Sequence, residues 1–346
     1  MSFAIALASA ALAQAPGDFV IDPDILLEAN SDGDGYMVNG VGAPTVMWDQ
    51  FRSRYVMFFE TRLPDTDPEC TVGMWGLGMA TSTDGVNWTP NATALLKPVA
   101  GTYYSCVAAH PSGFQLLNDT IMIYFKAEQA SDACAISEPS WGCARFTGIG
   151  RLQVYFNAAG GVRKTTAYAT PILKIAVDNG FPKVTLKVDT YYMFHAQRPN
   201  VWLATSKKLH GFTLKSAATL LPGFVSWGPD EAFSPSVVCE VDDGLPLTVY
   251  PGGKDLVGVP PLISAASWGR GVSADGLSVL MDADPYFTWN DDLQWRHWEV
   301  LRLGATGEHL LYYSEKDPGT GNPRIRMAST TPTWSGPDLD VKRCFD

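Results

Sequence analysis

Acidic, basic and imidazole side chains gather at the ends of five apolar segments of this sequence. Glu60 and Arg62 close "RYVMFFETR" (54–62). Lys126 and Glu128 close "TIMIYFKAE" (120–128), and His195, Gln197 and Arg198 close "TYYMFHAQRP" (190–199). Lys254 falls near the end of "PLTVYPGGKD" (246–255), and Glu315 and Lys316 near the end of "HLLYYSEKD" (309–317). A second set stands at or just ahead of the starts of four of five companion segments: His110, Asp178 with Asn179, Asp230 with Glu231, and Arg296 with His297. Carboxyl groups crowded into one pocket do acid and base chemistry. Burial and a like-charged neighbour raise one pKa, so one group keeps its proton while the other stays ionised. Any one of these residues taken alone reads better as a solvated turn. Their recurrence at one offset in five segments argues that they converge.

The segments that carry them have the form of strands. In "TYYMFHAQRP" the bulky Tyr191, Met193 and His195 alternate, as on a pleated, half-buried surface. The companion segments are "GAPTVMWD" (42–49), "AHPSGFQL" (109–116), "GFPKVTLK" (180–187), "FSPSVVCE" (233–240) and "RHWEVLRL" (296–303). Four carry a proline, at 44, 111, 182 and 235, spaced by 67, 71 and 53 residues, and Trp298 lies 63 beyond the last. A third element follows most copies: "GLGMATSTDG", "VWLATSKKLHG", "SWGRGVSADG" and "RIRMASTT", with "GIGRLQVYFN" as the irregular one. "STDG" and "SADG" are tight-turn chemistry, with Asp-Gly supplying positive φ. No apolar pattern of helical period runs longer than two turns. A repeat of 50–70 residues with three or four strands per copy predicts an all-β, five-bladed β-propeller, one domain over 14–346. In that fold the start of each blade's first strand and the end of its second share one face around the axis, so the polar tips meet at one mouth. A sandwich plus a second domain leaves the recurrence unexplained.

Composition agrees. The chain has 346 residues, 46% of them hydrophobic and 18% charged, which suits a large folded core. The net charge of −11, with no block of Lys or Arg, speaks against nucleic acid as a partner. No apolar stretch reaches the length of a membrane span. The N-terminal run ending Ala11-Leu12-Ala13 reads as a signal peptide over 1–13, although it lacks a basic start, and predicts a secreted or periplasmic protein. Six cysteines fit that setting, and Cys134 and Cys143 are the easiest pair to bridge.

The "xPxV" starts, the "YYMFHA" and "LLYYSEK" second strands and the "MATSTDGVNWTP" and "LATS" third strands resemble the five-bladed β-propeller glycoside hydrolases, the superfamily of families 43, 62, 32, 68 and 130. The likeness runs over about residues 40 to 331. It implies a carbohydrate substrate, cleaved between two carboxyl groups. In those families acids stand at the starts of successive first strands. Here the first-blade position reads Ala43-Pro44 and the second His110-Pro111. On this resemblance the acid is Glu231, the base Asp34 with Asp32 close behind, and the tuning carboxylate Asp178. Glu60 and Glu128 are rivals for either main role. Arg62, His110, His195, Arg198, Lys254, Arg296, His297 and Glu315 would line the substrate site, His110 and His297 donating to sugar hydroxyls or holding a central ion. No cofactor is required, but a central calcium ion is compatible. So is a calcium loop at Asn30, Asp32 and Asp34, although its twelfth position is Val41. Two other readings stay open: a silent propeller that binds glycans through the same face, and a phosphorylase, suited by the basic mouth but not by export.

Overall fold

The computed structural model describes residues 20–30, 34–64, 66, 70, 73–116, 119–129, 146–175, 179–187, 189–197, 200–217, 219–222, 231–239, 247–257, 262–281, 285, 287–289, 297–302 and 309–330. The signal-peptide segment and the Cys134–Cys143 pair lie outside them. The described chain is built from strands. After β1 (Val20–Leu27) comes blade 1, made of β2 (Val41–Asp49), β3 (Arg54–Arg62), β4 (Trp75–Ser82) and β5 (Thr89–Pro90). Blade 2 is β6 (Val107–Gln115), β7 (Thr120–Gln129), β8 (Phe146–Phe156), β9 (Val162–Ala167) and β10 (Leu173–Ile175). Blade 3 is β11 (Asn179–Lys187), β12 (Thr190–Gln197), β13 (Asn200–Ser206) and β14 (Thr213–Ala217). Blade 4 holds β15 (Thr219–Pro222), β16 (Glu231–Cys239), β17 (Leu247–Val257), β18 (Leu262–Trp268), β19 (Gly271–Ser273), β20 (Ser278–Met281) and β21 (Phe287–Trp289). Blade 5 is β22 (Trp298–Arg302), β23 (His309–Lys316) and β24 (Pro323–Ser329), completed by β1, which pairs with β24.

The first strands β2, β6, β11, β16 and β22 touch one another in cyclic order, and β22 returns to β2. The five blades therefore close into the expected propeller. Pairing β1 with β24 joins the first described strand to the last blade as its outermost strand.

Five apolar layers between neighbouring blades form the core. The second strands explain why those segments read as unbroken apolar runs. On β3, Tyr55, Met57 and Phe59 pack with Leu310, Tyr312, Ile325 and Met327 of blade 5. The alternate residues Val56 and Phe58 pack with Ile121, Ile123 and Phe125 of blade 2. β7 repeats this, with Met122 and Tyr124 against Val184 and Met193 of blade 3. Phe194 meets Leu247 and Val249 of blade 4, and Tyr250 meets Trp298 and Leu311 of blade 5. A strand buried on both faces has no polar alternation to show.

The two Asp-Gly turns form as the sequence predicts. Gly85 (φ 75°) and Gly276 (φ 77°) take the left-handed conformation, and each donates its N–H to the serine three residues earlier, Ser82 Oγ and Ser273 Oγ, at 2.8 Å. Asp84 and Asp275 each accept two backbone N–H groups of the returning chain. A disulfide, Cys70–Cys106, which sequence alone could not pair, ties the β3–β4 loop to the residue ahead of β6.

Candidate active site

The recurring prolines mark a bulge in each of the first four inner strands. The ladder runs Gly42↔Glu60 then Thr45↔Phe58, Ala109↔Lys126 then Ser112↔Tyr124, Gly180↔Ala196 then Lys183↔Phe194, and Phe233↔Gly252 then Ser236↔Tyr250. At each, two residues of the inner strand oppose one on its partner. Proline is tolerated inside the sheet because the bulge leaves no ladder bond for its missing N–H to make. The residue before it is driven to positive φ in three blades: Ala43 (42°), His110 (48°) and Phe181 (57°). Non-glycine residues avoid that region, at a cost of roughly 1–2 kcal/mol each, and such strain gathers where side chains must be aimed.

The aim is a small recess on the axis. Ala43, His110, Phe181, Lys183, His297, Trp298 and Glu299 line it together with Pro44, Pro111, Pro182 and Pro235. Three rings cluster there. His110 stacks on Phe181 at 4.0 Å between centroids, and His297 lies 4.3 Å from His110 and 4.5 Å from Phe181. Glu60 reaches the same cluster from the second strand of blade 1. Its Oε2 lies 3.0 Å from His110 Nδ1 and accepts the His110 backbone N–H at 3.2 Å. Gly42 makes room for it: a Cβ at that position would stand 3.3 Å from Glu60 Oε1. Gly180 does the same for Lys126, whose Cδ would lie 2.5 Å from an added Cβ. Lys126 is held by Glu128 at 2.7 Å.

One residue deeper, the position after each of the four bulges, and the matching position after Trp298 in blade 5, is polar: Thr45, Ser112, Lys183, Ser236 and Glu299, all buried. Lys183 reaches across the axis to pair with Glu299 and donates to Thr45 Oγ1 at 3.0 Å, linking blades 1, 3 and 5. Ser112 Oγ and Ser236 Oγ accept the backbone N–H groups of Val184 and Val300 in the next blade, both at 3.2 Å. This girdle closes the bottom of the recess with satisfied polar groups.

Burial sets the proton affinities. It raises the pKa of Glu60, against the opposing pull of His297, the His110 N–H and Lys126, and so favours the protonated acid. Burial, with Lys126 nearby, holds His110 well below the usual imidazole range. Burial also pushes the Lys183 ammonium down, to about 7.

The structure brings Glu60, His110 and His297 together and sets Lys126 and Glu128 beside them. Among the described side chains, it does not bring Asp34, His195 or Glu315 there. Asp34, expected as the base, sits in a turn before β2. Its carboxylate pairs with Lys97 at 2.8 Å and accepts the Tyr36 N–H, and it does not line the recess. Lys97 lies beyond β5, at the outer edge of blade 1, which explains the distance from the axis. Those two contacts also commit the carboxylate that a calcium loop there would use; Asp32 lies outside the described residues. His195, expected at the mouth, lies opposite the Phe181-Pro182 bulge in the layer facing blade 2, where blades 1 and 2 have Phe59 and Phe125. Neither ring nitrogen has a hydrogen-bond partner among the described residues, and burial pushes its pKa down to about 4. Glu315 is bound by Arg324 and Arg326 within blade 5. Arg62 ends β3. Glu231 opens β16 opposite Lys254 of β17. Asp178, Arg198, Asp230 and Arg296 lie outside the described residues. Lys183, Glu299 and Phe181 were not singled out from the sequence. The signal for the first two was available, as a column of polar residues directly after Pro44, Pro111, Pro182 and Pro235 and after Trp298.

The donor set bears on the expected central ion. Calcium takes six to eight oxygen ligands. The recess offers two imidazoles with the Glu60 carboxylate beside them, a second carboxylate, Glu299, that is already paired with Lys183, and otherwise aromatic rings and prolines. That set does not fit calcium.

Among the described residues no helix is long and apolar enough to cross a membrane. No family model and no curated protein matches the chain. Solved structures do share its architecture. A Bacteroides thetaiotaomicron protein assigned as a glycosidase superposes with a TM-score of 0.63 at 12% identity, over 91% of this chain and 97% of its own. A glycosyl hydrolase from Bacteroides ovatus gives 0.60 at 12%, over 90% and 93%. The β-1,2-mannobiose phosphorylase of Listeria innocua, in complex with β-1,2-mannobiose, gives 0.58 at 12%, over 90% and 92%. At these identities the likeness is one of fold: this chain is a five-bladed propeller of the kind found among glycoside-processing enzymes.

Proposed function

We propose that the protein is a glycoside hydrolase acting on a poly- or oligosaccharide at the axial recess, with Glu60 as the group that protonates the leaving oxygen. One observation carries this. A buried carboxyl that favours its proton stands against His110, at the axis of a fold shared with glycosidases. Hydrolysis of a glycosidic bond needs such an acid and a second, ionised carboxylate. Glu231 is the best-placed partner, as the first residue of an inner strand and at the mouth end of its blade. Asp178, one residue ahead of β11, is the next. This reassigns the acid from Glu231 to Glu60 and takes Asp34 out of the mechanism. The Cys70–Cys106 disulfide supports export, since such bonds persist in oxidising compartments.

A panel of arabinan, xylan and mannan polymers and oligomers, with product analysis, tests the reading. Glu60→Gln keeps the shape and removes the proton. It is expected to lower turnover about 10²–10⁴-fold while leaving glycan affinity within a few-fold. Unchanged turnover in Glu60→Gln overturns the assignment. A second reading, a glycan-binding propeller without catalysis, is favoured by Ala43, which puts a methyl group where the resemblance leads one to expect an acid. It predicts binding by wild type and variant alike, with no turnover in either. Products that form only with inorganic phosphate would mark a phosphorylase instead.

A further inference from the structure

We propose that Glu60, His110 and His297 form a binding site for a single borderline divalent metal ion of the zinc type, on the propeller axis. The three come from the second strand of blade 1, the bulge of blade 2 and the start of blade 5. One ligand atom from each lies within 4.8 Å of the other two. No two are closer in sequence than 50 residues, so only the closed ring brings them together.

The geometry around them is built. His110 adopts φ 48°, a strained value for a non-glycine residue, and that conformation sends its ring to the axis. Phe181 stacks at 4.0 Å on one side of the ring and limits where it can turn. Gly42 leaves the space in which the Glu60 carboxylate lies. Lys126, whose charge is felt by Glu60 and His110, is engaged by Glu128 at 2.7 Å, and Lys183 is engaged by Glu299. Two imidazoles and one carboxylate are a donor set for zinc and neighbouring transition metals, and a poor one for calcium or magnesium. Metal–ligand distances of about 2.0–2.2 Å place such donors roughly 3.3–3.5 Å apart, so rotations of these side chains by about an ångström close the site. Three protein ligands leave one position open toward the recess for water or a sugar hydroxyl.

The site stands apart from the hydrolytic reading, because metal binding is measured without any substrate. Glu60 acts as the acid only in the metal-free chain: a carboxylate that ligates an ion has no proton to give, so bound Zn²⁺ is expected to block turnover.

The test uses the full chain, stripped of metal by chelator dialysis, with Zn²⁺, Co²⁺ and Ca²⁺ titrated calorimetrically. One Zn²⁺ per chain is expected, with Ca²⁺ at least about 100-fold weaker. Co²⁺ should give the visible absorption of a low-coordinate site with nitrogen ligands. His297→Gln and His110→Gln should each weaken Zn²⁺ by about 100-fold or more and abolish the Co²⁺ band. Circular dichroism and thermal melts verify that each variant is folded; should either fail to fold, Glu60→Gln carries the same expectation. Stoichiometric Zn²⁺ binding unchanged in all folded variants overturns the proposal, as does tighter binding of Ca²⁺ than of Zn²⁺, or no binding of Zn²⁺ or Co²⁺ at all.

Discussion

Polar groups are buried in two places in this propeller, and the two treat them differently. Along the axis, Thr45, Ser112, Lys183, Ser236 and Glu299 occupy one register position in five blades, and each has a partner across the ring or in the next blade. In the layers between blades, the same depth is filled by Phe59 in blade 1 and Phe125 in blade 2. Blade 3 instead has His195, whose ring has no hydrogen-bond partner among the described residues. The axis is a hollow ringed by five strand edges, so side chains from several blades reach one another there. A layer between two sheets is closed by apolar contact and offers an imidazole little to bond with. The cost of a buried polar group depends on which of these surroundings it meets.

Breaking the axial girdle should have the largest effect. Lys183→Met leaves Glu299 buried without its cation, and removing one partner of such a pair costs about 3–5 kcal/mol. Thermal or urea unfolding measures this. Lys183→Met combined with Glu299→Leu should recover most of the loss, because two apolar side chains leave no charge behind. If the single variant is as stable as wild type, the pair does not hold the blades together.

The interblade layer should respond to acid. An unfolded imidazole takes up a proton near pH 6.5, whereas folded His195 resists until about pH 4. Its contribution is therefore complete above pH 6.5 and is lost progressively as pH falls toward 4, by up to about 3 kcal/mol. His195→Phe, the residue of blades 1 and 2 at this position, should flatten stability between pH 6.5 and 5. His110, also depressed, keeps its own share of the slope. An unaltered pH profile in His195→Phe would mean that the imidazole is not held neutral by its surroundings.

The smallest effect should come from the rim, away from both regions. Ser82→Ala removes the oxygen that accepts the Gly85 N–H and donates to Asp84 in the β4–β5 turn and should cost about 1 kcal/mol at neutral pH. Ser273→Ala should match it, since its turn is built the same way. A difference of more than about 1 kcal/mol between the two would show that one turn is coupled to the core, through Tyr312 Oη, which donates to the Gly85 carbonyl.

Much of this was legible in the chain. Strands that are apolar on both faces, prolines near one spacing and Asp-Gly turns are local patterns, and each has a local physical cause: two-sided burial, a bulge that excuses a missing N–H, and a left-handed turn residue. Five copies of such a unit cannot each bury two faces except by packing side by side, so the propeller followed from repetition. The convergence of His110, His297 and Glu60 followed as well, because strand ends at one register must meet at one mouth.

Distance and partner choice were not legible. Asp34 looked like a catalytic carboxylate by type and position, but Lys97, far away in sequence, claims it at the outer edge of blade 1. His195 looked like its neighbours at the mouth, yet the regular pleat of β12 sets it on the same face as Met193, toward an apolar layer. Lys183 and Glu299 are 116 residues apart, and nothing local marks them as a pair. The linear chain determined which faces are apolar and where the backbone must turn, because those depend on adjacent residues. Closure of the ring alone decided which charges meet and which stay protonated, because those depend on groups that only the folded axis brings within a few ångströms.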